Sequence, residues 1–348
     1  MPDPLVSVCC TTYNHSRFVE AAVESVFHQT YRNLEILVID DGSTDETFSK
    51  LELLRARSPV PMQVITQKNT GNVCRNNNIV LKQASGKYIR MLNLDDIYLP
   101  ESTEEFVRIL ESDDSLQFVC ADRVPFIDKE GRLTGKYHNS PFFGKTVAEV
   151  SLADLLGMEY SDGHTFYLQN AMFRKTAIDA SGGSDEELFG DDITLRIRLF
   201  QSLLKSGLVS FAIVNHEAFH YRSHSSNLTK NTLRQLNIMV QVCEKYFAGK
   251  RSPVIPKLVS FIVSQRLAEI SDLLDGKLIR YDDPVVRVKI EDLFEEVQST
   301  VAHDYLGIPR STRFSKTQER VRLLLRACGL LSLSRRLLGR NPNGTPRQ

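Results

Sequence analysis

Residues 92–100 read Leu-Asn-Leu-Asp-Asp-Ile-Tyr-Leu-Pro, an apolar run that ends in the adjacent carboxylates Asp95 and Asp96 and then meets Pro100, which suits the first turn of a helix. Residues 87–92 have the length and composition of a strand, so both acids fall at a strand's carboxyl end, the edge where open α/β sheets bind ligands. Hard oxygen donors at that edge suit Mg2+ or Mn2+ held against a diphosphate. The competing reading is that Asp96 caps the next helix and Asp95 is solvated. Thr11, Asp40 and Asp41 are expected at the ends of two other strands. A carboxylate there can accept the imide N–H of a uracil or thymine ring, and Arg75 can offset phosphate charge. An ordinary turn followed by a helix cap accounts equally well for the run Asp40-Asp41-Gly42-Ser43-Thr44. Asp191 and Asp192 precede the helical run 195–204, where acids favour the positive end of the helix dipole.

These residues need a scaffold, and the patterning supplies one. Residues 5–11 form a near-continuous apolar strand of the kind buried on both faces of a parallel sheet. Phe18, Ala21, Ala22 and Val26 recur at helical spacing, and residues 34–39 give a second strand. Gly42 permits a sharp turn, and Ser43 or Thr44 can cap a helix beginning near Glu46. Further strands are expected over 62–65, 87–92 and 116–121, with helices over 73–84 and 101–111. Strand and helix alternate at βαβ spacing to about residue 122, which predicts an α/β fold with a parallel sheet and helices on both faces. The chain lacks both GxGxxG and GxxxxGK[ST], which argues against dehydrogenases and P-loop enzymes. Periodicity weakens over 138–169, where Gly, Ser and aromatic residues suggest a mobile, acceptor-facing segment. An apolar strand is expected over 208–214 and amphipathic helices over 233–247, 257–274 and 285–301, divided by Pro253, Pro256, Gly276 and Pro284.

With 348 residues, 42% of them hydrophobic, the chain can bury a sizeable core. The formal net charge is zero, yet from Arg310 onward ten basic residues face the single acid Glu319, so a tail of +9 follows a body of −9. The six cysteines show no CxxC or CxxH spacing, and Cys9, Cys10 and Cys120 fall in apolar strand-like runs, which fits buried thiols in a reducing compartment. No secretory signal pattern opens the chain and no apolar run approaches a bilayer span, so a cytoplasmic protein is expected.

Taken together, several motifs over about residues 4–230 resemble the family 2 glycosyltransferases, the inverting group with the GT-A fold. Residues 6–14 (VSVCCTTYN) look like the family's opening strand and TxYN turn, residues 25–31 (SVFHQTY) its SxxxQTY pattern, and residues 38–45 (VIDDGSTD) its VxDDGSTD loop. Residues 69–78 (NTGNVCRNNN) are similar to its RNxG segment, with Asn78 where glycine is usual. Asn93-Leu94-Asp95 occupies the DxD position, with asparagine for the first acid. Residues 182–186 (GGSDE) and the pair Asp191-Asp192 resemble the GGFDE and ED elements, with Ser184 and Asp191 as departures. Tyr221-Arg222-Ser223-His224 looks like the YRxH segment that closes over the diphosphate.

The resemblance implies nucleotide-binding positions at Thr11, Tyr13, Asp41, Arg75, Asn93 and His224, a divalent metal (Mn2+ or Mg2+) at Asp95, and a catalytic base at Asp192. It places Asp40, Asp96, Asp191 and Arg222 in support. It further implies transfer of a sugar, most readily from a UDP donor, to a hydroxyl of a glycan or lipid-linked acceptor in cell-surface polysaccharide synthesis, with no nucleic-acid partner. A non-catalytic nucleotide-sugar-binding or scaffold protein of the same fold is the alternative, motivated by Asn93. The expected organisation is a GT-A domain over 1–230, a helical extension over 231–309 and a basic amphipathic tail over 310–348. Within that tail Val321, Leu324, Leu325, Cys328 and Leu331 recur at helical spacing among arginines, a pattern suited to an anionic membrane surface at residues 310–340. Packing against the helical extension, or oligomerisation, is the competing reading of the same stripe.

Overall fold

The computed structural model describes residues 3–161, 163–188 and 191–230, with isolated residues between 235 and 247. The chain divides after Asn227 into two compact units. The expected helices over 257–301 and the tail over 310–348 lie outside the described residues. Among the described residues no helix is long and apolar enough to cross a membrane.

The first half follows the sequence pattern closely. β1 (Val6–Thr12), α1 (Val19–Phe27), β2 (Leu34–Asp40), α2 (Thr47–Ala56), β3 (Met62–Thr66), α3 (Val73–Gln83) and β4 (Tyr88–Asn93) alternate as expected. The chain continues through β5 (Ile97–Tyr98), α4 (Ser102–Ser112), β6 (Phe118–Ile127), β7 (Leu133–Asn139), α5 (Leu152–Ser161), β8 (Ala171–Arg174), α6 (Lys175–Ser181), α7 (Asp191–Ser206), β9 (Ala212–Glu217) and β10 (Phe219–Arg222). One ten-stranded sheet runs β3-β2-β1-β4-β8-β6-β10-β5, with β7 and β9 also pairing with β6.

Alternation along the central strands divides the core in two. Val8, Cys10, Ile36 and Val38 face a cluster closed by Val19, Val23, Leu51 and Phe106, from α1, α2 and α4. Cys9, Leu37 and Ile39 face the opposite cluster, closed by Val80, Leu155, Ile178 and Leu199 from α3, α5, α6 and α7. Both faces of β1 and β2 are therefore dry, which is why these strands are near-continuously apolar, interrupted by Ser7 and Glu35 ahead of their polar ends. Cys9, Cys10, Cys74 and Cys120 are buried free thiols, and burial pushes Cys9, Cys10 and Cys120 well above the ordinary thiol range.

Three features depart from the sequence reading. The sheet is mostly parallel, but β8 runs antiparallel between β4 and β6. Nothing local marks that insertion, because β8 is a short Ala-Met-Phe-Arg run whose partners lie far away in the chain. β6 continues beyond the expected 116–121 to Ile127, passing through Pro125 where its register with β7 shifts; an irregularity of that kind is where a strand tolerates proline. The segment 138–169, expected to be mobile, packs Phe142, Val150, Leu152, Leu155, Phe166 and Leu168 into the core and forms α5.

Candidate active site

The site is assembled by strand order. β2, β1 and β4 are parallel neighbours, so their carboxyl ends lie side by side, with Thr11 opposite Asn93 and Thr12 opposite Asp40. The Thr11 hydroxyl donates to Asn93 Oδ1 at 3.0 Å, and the Leu94 N–H donates to the Thr11 carbonyl at 3.1 Å. That pairing engages the asparagine that stands at the first position of the DxD segment.

Asp95 follows, buried, and it is approached from two directions. His224 Nε2 lies 3.0 Å from Asp95 Oδ2, and His15 Nε2 lies 3.9 Å from the same oxygen. Phe18 packs on the His224 ring with centroids 4.7 Å apart. Burial alone would raise the Asp95 carboxyl, but the His224 contact and the two imidazoles outweigh it and hold the carboxyl below its ordinary value. Burial depresses the His15 imidazole, and the Asp95 charge only partly offsets this.

Asp96 plays a different part. It does not cap α4, whose N-cap Glu101 makes no side-chain cap bond. Asp96 Oδ1 instead accepts the Arg222 N–H at 2.8 Å, while Arg222 Nε donates to the Asp95 carbonyl at 2.8 Å and Nη1 to the Asp128 carbonyl at 3.2 Å. Arg222 thus fastens β10 beneath the acid pair, and its guanidinium lies against the Phe18 ring at 5.1 Å. Burial and the neighbouring Asp95 charge push the Asp96 carboxyl well above the carboxylate range.

The turns after β1 and β2 interlock. Asn14, at φ 55°, donates its N–H to Ser43 Oγ at 2.8 Å and accepts the Thr44 N–H on Oδ1 at 2.8 Å. Asp40 is fully occupied in this turn: it accepts from the Ser43 N–H and hydroxyl and, at 3.3 Å, from the Thr66 hydroxyl. Gly42 adopts φ +73°, and a Cβ there would come within 2.7 Å of the Asn69 nitrogen and the Gln67 carbonyl. Neither Ser43 nor Thr44 caps α2; Asp45 accepts the Thr47 N–H at 2.9 Å instead.

Asp41 is buried and organises the loop that follows β3. Its Oδ1 accepts from Gln67 Nε2 at 2.8 Å and the Thr70 N–H at 3.0 Å, and its Oδ2 accepts from the Gly71 N–H at 3.1 Å. Arg75 lies exposed in the first turn of α3, capped by Asn72. Tyr13 is 43% exposed, enough for one ring face to meet a ligand. Asn78, where glycine is usual, ties α3 to the 182–186 loop: it donates to the Ser184 carbonyl at 2.9 Å and to Glu186 Oε1 at 2.8 Å and accepts the Ser184 N–H at 2.8 Å. Gly183, at φ +71°, passes so close to Asn78 Oδ1 that a Cβ would collide with it.

Asp192 sits in the first turn of α7, which Asp191 opens; the Asp191 side chain lies outside the described residues. Asp192 Oδ2 accepts the Leu168 N–H at 3.3 Å and lies 3.6 Å from Arg196 Nη1. Arg196 and Glu159 form a wholly buried pair, with Nε 2.5 Å and Nη2 3.1 Å from the carboxylate oxygens, and Nη1 also reaches the Phe166 carbonyl at 2.8 Å. Burial, with the charges of Asp96 and Asp192, raises the Tyr167 phenol well above its ordinary value.

Of the residues singled out from sequence, Thr11, Asn93, Asp95, Asp96, Arg222 and His224 meet in one cluster. Asp40 and Asp41 hold the neighbouring turn and loop, and Arg75 and Tyr13 stand exposed. His15, Gln67, Thr70, Glu159 and Arg196 escaped the sequence reading. Only His15 carried a signal, as the residue directly after the TxYN turn.

A buried acid pair at the carboxyl ends of parallel strands, beside an interlocked Asp-Asp-Gly-Ser-Thr loop, defines the GT-A class of nucleotide-sugar folds. Glycosyl transferase family 2 matches residues 7–182, just over half of the chain, and the chain belongs to that family. Among curated relatives, an uncharacterized glycosyltransferase of Haemophilus influenzae is 34% identical over 137 residues, covering 39% of this chain and 42% of the relative. A GalNAc(5)-diNAcBac-PP-undecaprenol beta-1,3-glucosyltransferase of Campylobacter jejuni is 27% identical, covering 66% of this chain and 70% of the relative. The chain thus spans less than half the length of the first of these relatives. Among solved structures, S. aureus TarS 1-349 in complex with UDP-GlcNAc superposes with a TM-score of 0.60 at 15% identity, covering 90% of this chain and 95% of that one, a likeness of fold.

Proposed function

We propose that this protein is an inverting glycosyltransferase that moves a sugar from a nucleoside-diphosphate donor, UDP-linked in the first instance, to a hydroxyl of a glycan or lipid-linked acceptor at the cytoplasmic face of a membrane. The work assigned to it is cell-surface polysaccharide synthesis. The observation that carries this reading is the Asp95–His224 contact of 3.0 Å at the carboxyl end of β4, beneath which Arg222 is locked. The bound UDP-GlcNAc of TarS and the undecaprenol-linked substrate named for the Campylobacter relative support the choice of donor and acceptor class.

The residues at the site fit a divalent cation, because the Asp95 carboxylate and the His224 imidazole bring Oδ2 and Nε2 within 3.0 Å of each other at a buried position. Bound there, Mn2+ or Mg2+ would supply Lewis-acid stabilisation to the diphosphate as its negative charge develops. Asp41 lines the base pocket: a uracil imide N–H would take the place of Gln67 on Oδ1, while Gly71 keeps Oδ2. Arg75 and Tyr13, exposed at the rim, reach for phosphate and ring. Asp192 takes the proton from the acceptor hydroxyl as it attacks the anomeric carbon, and a single displacement inverts that centre. The Leu168 N–H and Arg196 hold Asp192 Oδ2 and so set the direction of its second oxygen.

The full chain, incubated with Mn2+ and a panel of UDP-, dTDP- and GDP-sugars, tests this by binding calorimetry and release of nucleoside diphosphate. Binding with slow donor hydrolysis is expected for one UDP-sugar. Binding without any hydrolysis or transfer would favour a non-catalytic binding protein, and no binding of any donor would overturn the reading.

A further inference from the structure

We propose that His15 is a metal ligand, so that His15, Asp95 and His224 form a two-imidazole, one-carboxylate set that replaces the acid missing at Asn93 and prefers Mn2+ and later transition dications to Mg2+. The inference rests on the cation reading of the same site and adds to it a ligand and a selectivity.

Both imidazoles are presented in the same way. His15 Nδ1 lies 3.2 Å from the Thr12 hydroxyl and His224 Nδ1 lies 2.8 Å from the Ser226 hydroxyl, while each ring turns its Nε2 toward Asp95 Oδ2. A hydroxyl that accepts Nδ1–H in this position orients the ring and leaves Nε2 its lone pair, the arrangement by which proteins present metal-binding histidines. Asn227 adds an independent constraint. Its Oδ1 accepts the His224 N–H at 2.6 Å, which fixes the amide so that Nδ2 faces His224 Nε2 at 3.1 Å. The same Nδ2 donates to the Arg222 carbonyl at 3.1 Å, so Asn227 clamps the turn that carries His224 and fixes where its ring stands. An ion seated between Nε2 and Asp95 Oδ2, 3.0 Å apart, would take the place of the proton that otherwise joins them.

The spacing fits. Ligand atoms around one ion at metal–ligand distances of about 2.1 Å are separated by about 3 Å. The pair separations here are 3.0 Å, 3.9 Å and at most 4.8 Å, so a modest contraction seats an ion and leaves its remaining positions for diphosphate oxygens. His15 is also anchored by its backbone: its carbonyl accepts the Phe18 and Val19 N–H groups at 2.8 and 2.9 Å, which starts α1. Asn93 cannot supply the missing charge, and its Oδ1 already accepts the Thr11 hydroxyl. An imidazole-rich set shifts preference from Mg2+, which favours oxygen donors and water, toward transition dications.

The test uses the full chain with Mn2+, Co2+ or Mg2+ alone, without nucleotide, by calorimetry, and electron spin-echo envelope modulation of the Mn2+ signal to detect directly bound nitrogen. Wild type is expected to show two bound imidazoles and to bind Mn2+ more tightly than Mg2+. His15→Ala should remove one nitrogen signal and weaken Mn2+ by about 10-fold or more, the scale of perturbing a metal shell. His15→Asp should keep the ion while narrowing the Mn2+ over Mg2+ preference. An unchanged nitrogen signal and affinity in His15→Ala, with loss in Asp95→Ala, would remove His15 and leave the proposed function standing. A wild type that binds UDP equally with and without Mn2+, and binds no Mn2+ alone, would overturn the cation reading itself. Unchanged melting of each metal-free variant establishes that folding is not the cause.

Discussion

His224 and Asp95, 129 residues apart in the chain, meet with Nε2 and Oδ2 3.0 Å apart because β10 pairs with both β5 and the far end of β6. Asp95→Ala should therefore weaken UDP binding in the presence of Mn2+ while leaving the weaker metal-free UDP binding nearly unchanged. Paired calorimetric titrations check this, and an equal loss in both conditions would show that Asp95 acts without a metal.

Asp192→Asn keeps an oxygen for the Leu168 N–H and so should preserve the fold and donor affinity. Transfer should fall by about 100-fold or more, the scale of losing a general base. Retention of near wild-type transfer by the folded variant would take Asp192 out of that role.

Glu159→Ala would leave Arg196, buried beside Phe166, without its buried bidentate partner, with only the partly exposed Asp192 carboxylate 3.6 Å away. Breaking one side of a buried pair costs about 3–5 kcal/mol. The melting temperature should drop by roughly 10 °C, since a domain of this size loses about 2–4 °C per kcal/mol. A thermal melt decides, and a shift of only a degree or two would place the pair among energetically neutral ones.

His216 Nε2 lies 2.7 Å from Glu105 Oε2 and joins β9 to α4. Burial lowers this imidazole, but the Glu105 contact and the Glu217 carbonyl raise it more, so the net direction is up. A histidine raised above its unfolded value of about 6.5 contributes stability that is complete below that pH and is lost as pH climbs through the folded value. Glu105→Gln should thus lower the melting temperature most below about pH 6.5 and converge with wild type at higher pH. The pair is well exposed, so after solvent screening the effect stays under about 1 kcal/mol. Curves that diverge toward high pH instead would contradict this sign.

Residues 310–340 combine the leucine and valine stripe with arginines, and they lie outside the described residues. Full-length protein should sediment with anionic vesicles at low salt and be released by added salt, each basic residue near the surface contributing on the order of 1 kcal/mol. A chain ending at Pro309 should not sediment. Equal behaviour of the two would assign the tail to packing or a partner.

The sequence alone determined the first half of the sheet and the identity of its edge. Residues 5–11, 34–39 and 87–92 carry apolar side chains on both faces, interrupted by Ser7, Glu35, Lys87 and Arg90, because each strand is buried on both faces, a requirement written locally. The acids that follow them, Asp40, Asp41 and Asp95, were legible for the same reason: polar residues interrupt the pattern where the strands end. What only the tertiary structure decided was which distant groups meet there. β8 enters the sheet between β4 and β6 through pairings that no local pattern records. His15 becomes a neighbour of Asp95 because Asn14, at φ 55° and pinned by Ser43 and Thr44, turns the chain back over β4. Asp96, for which a helix cap is the competing reading, is a buried acceptor for the Arg222 N–H, and Asn78, a departure from the motif, ties α3 to Ser184 and Glu186. A hydrogen bond or charge contact across a long stretch of chain has no period in sequence; it exists only once packing has removed the solvent that would otherwise satisfy both partners.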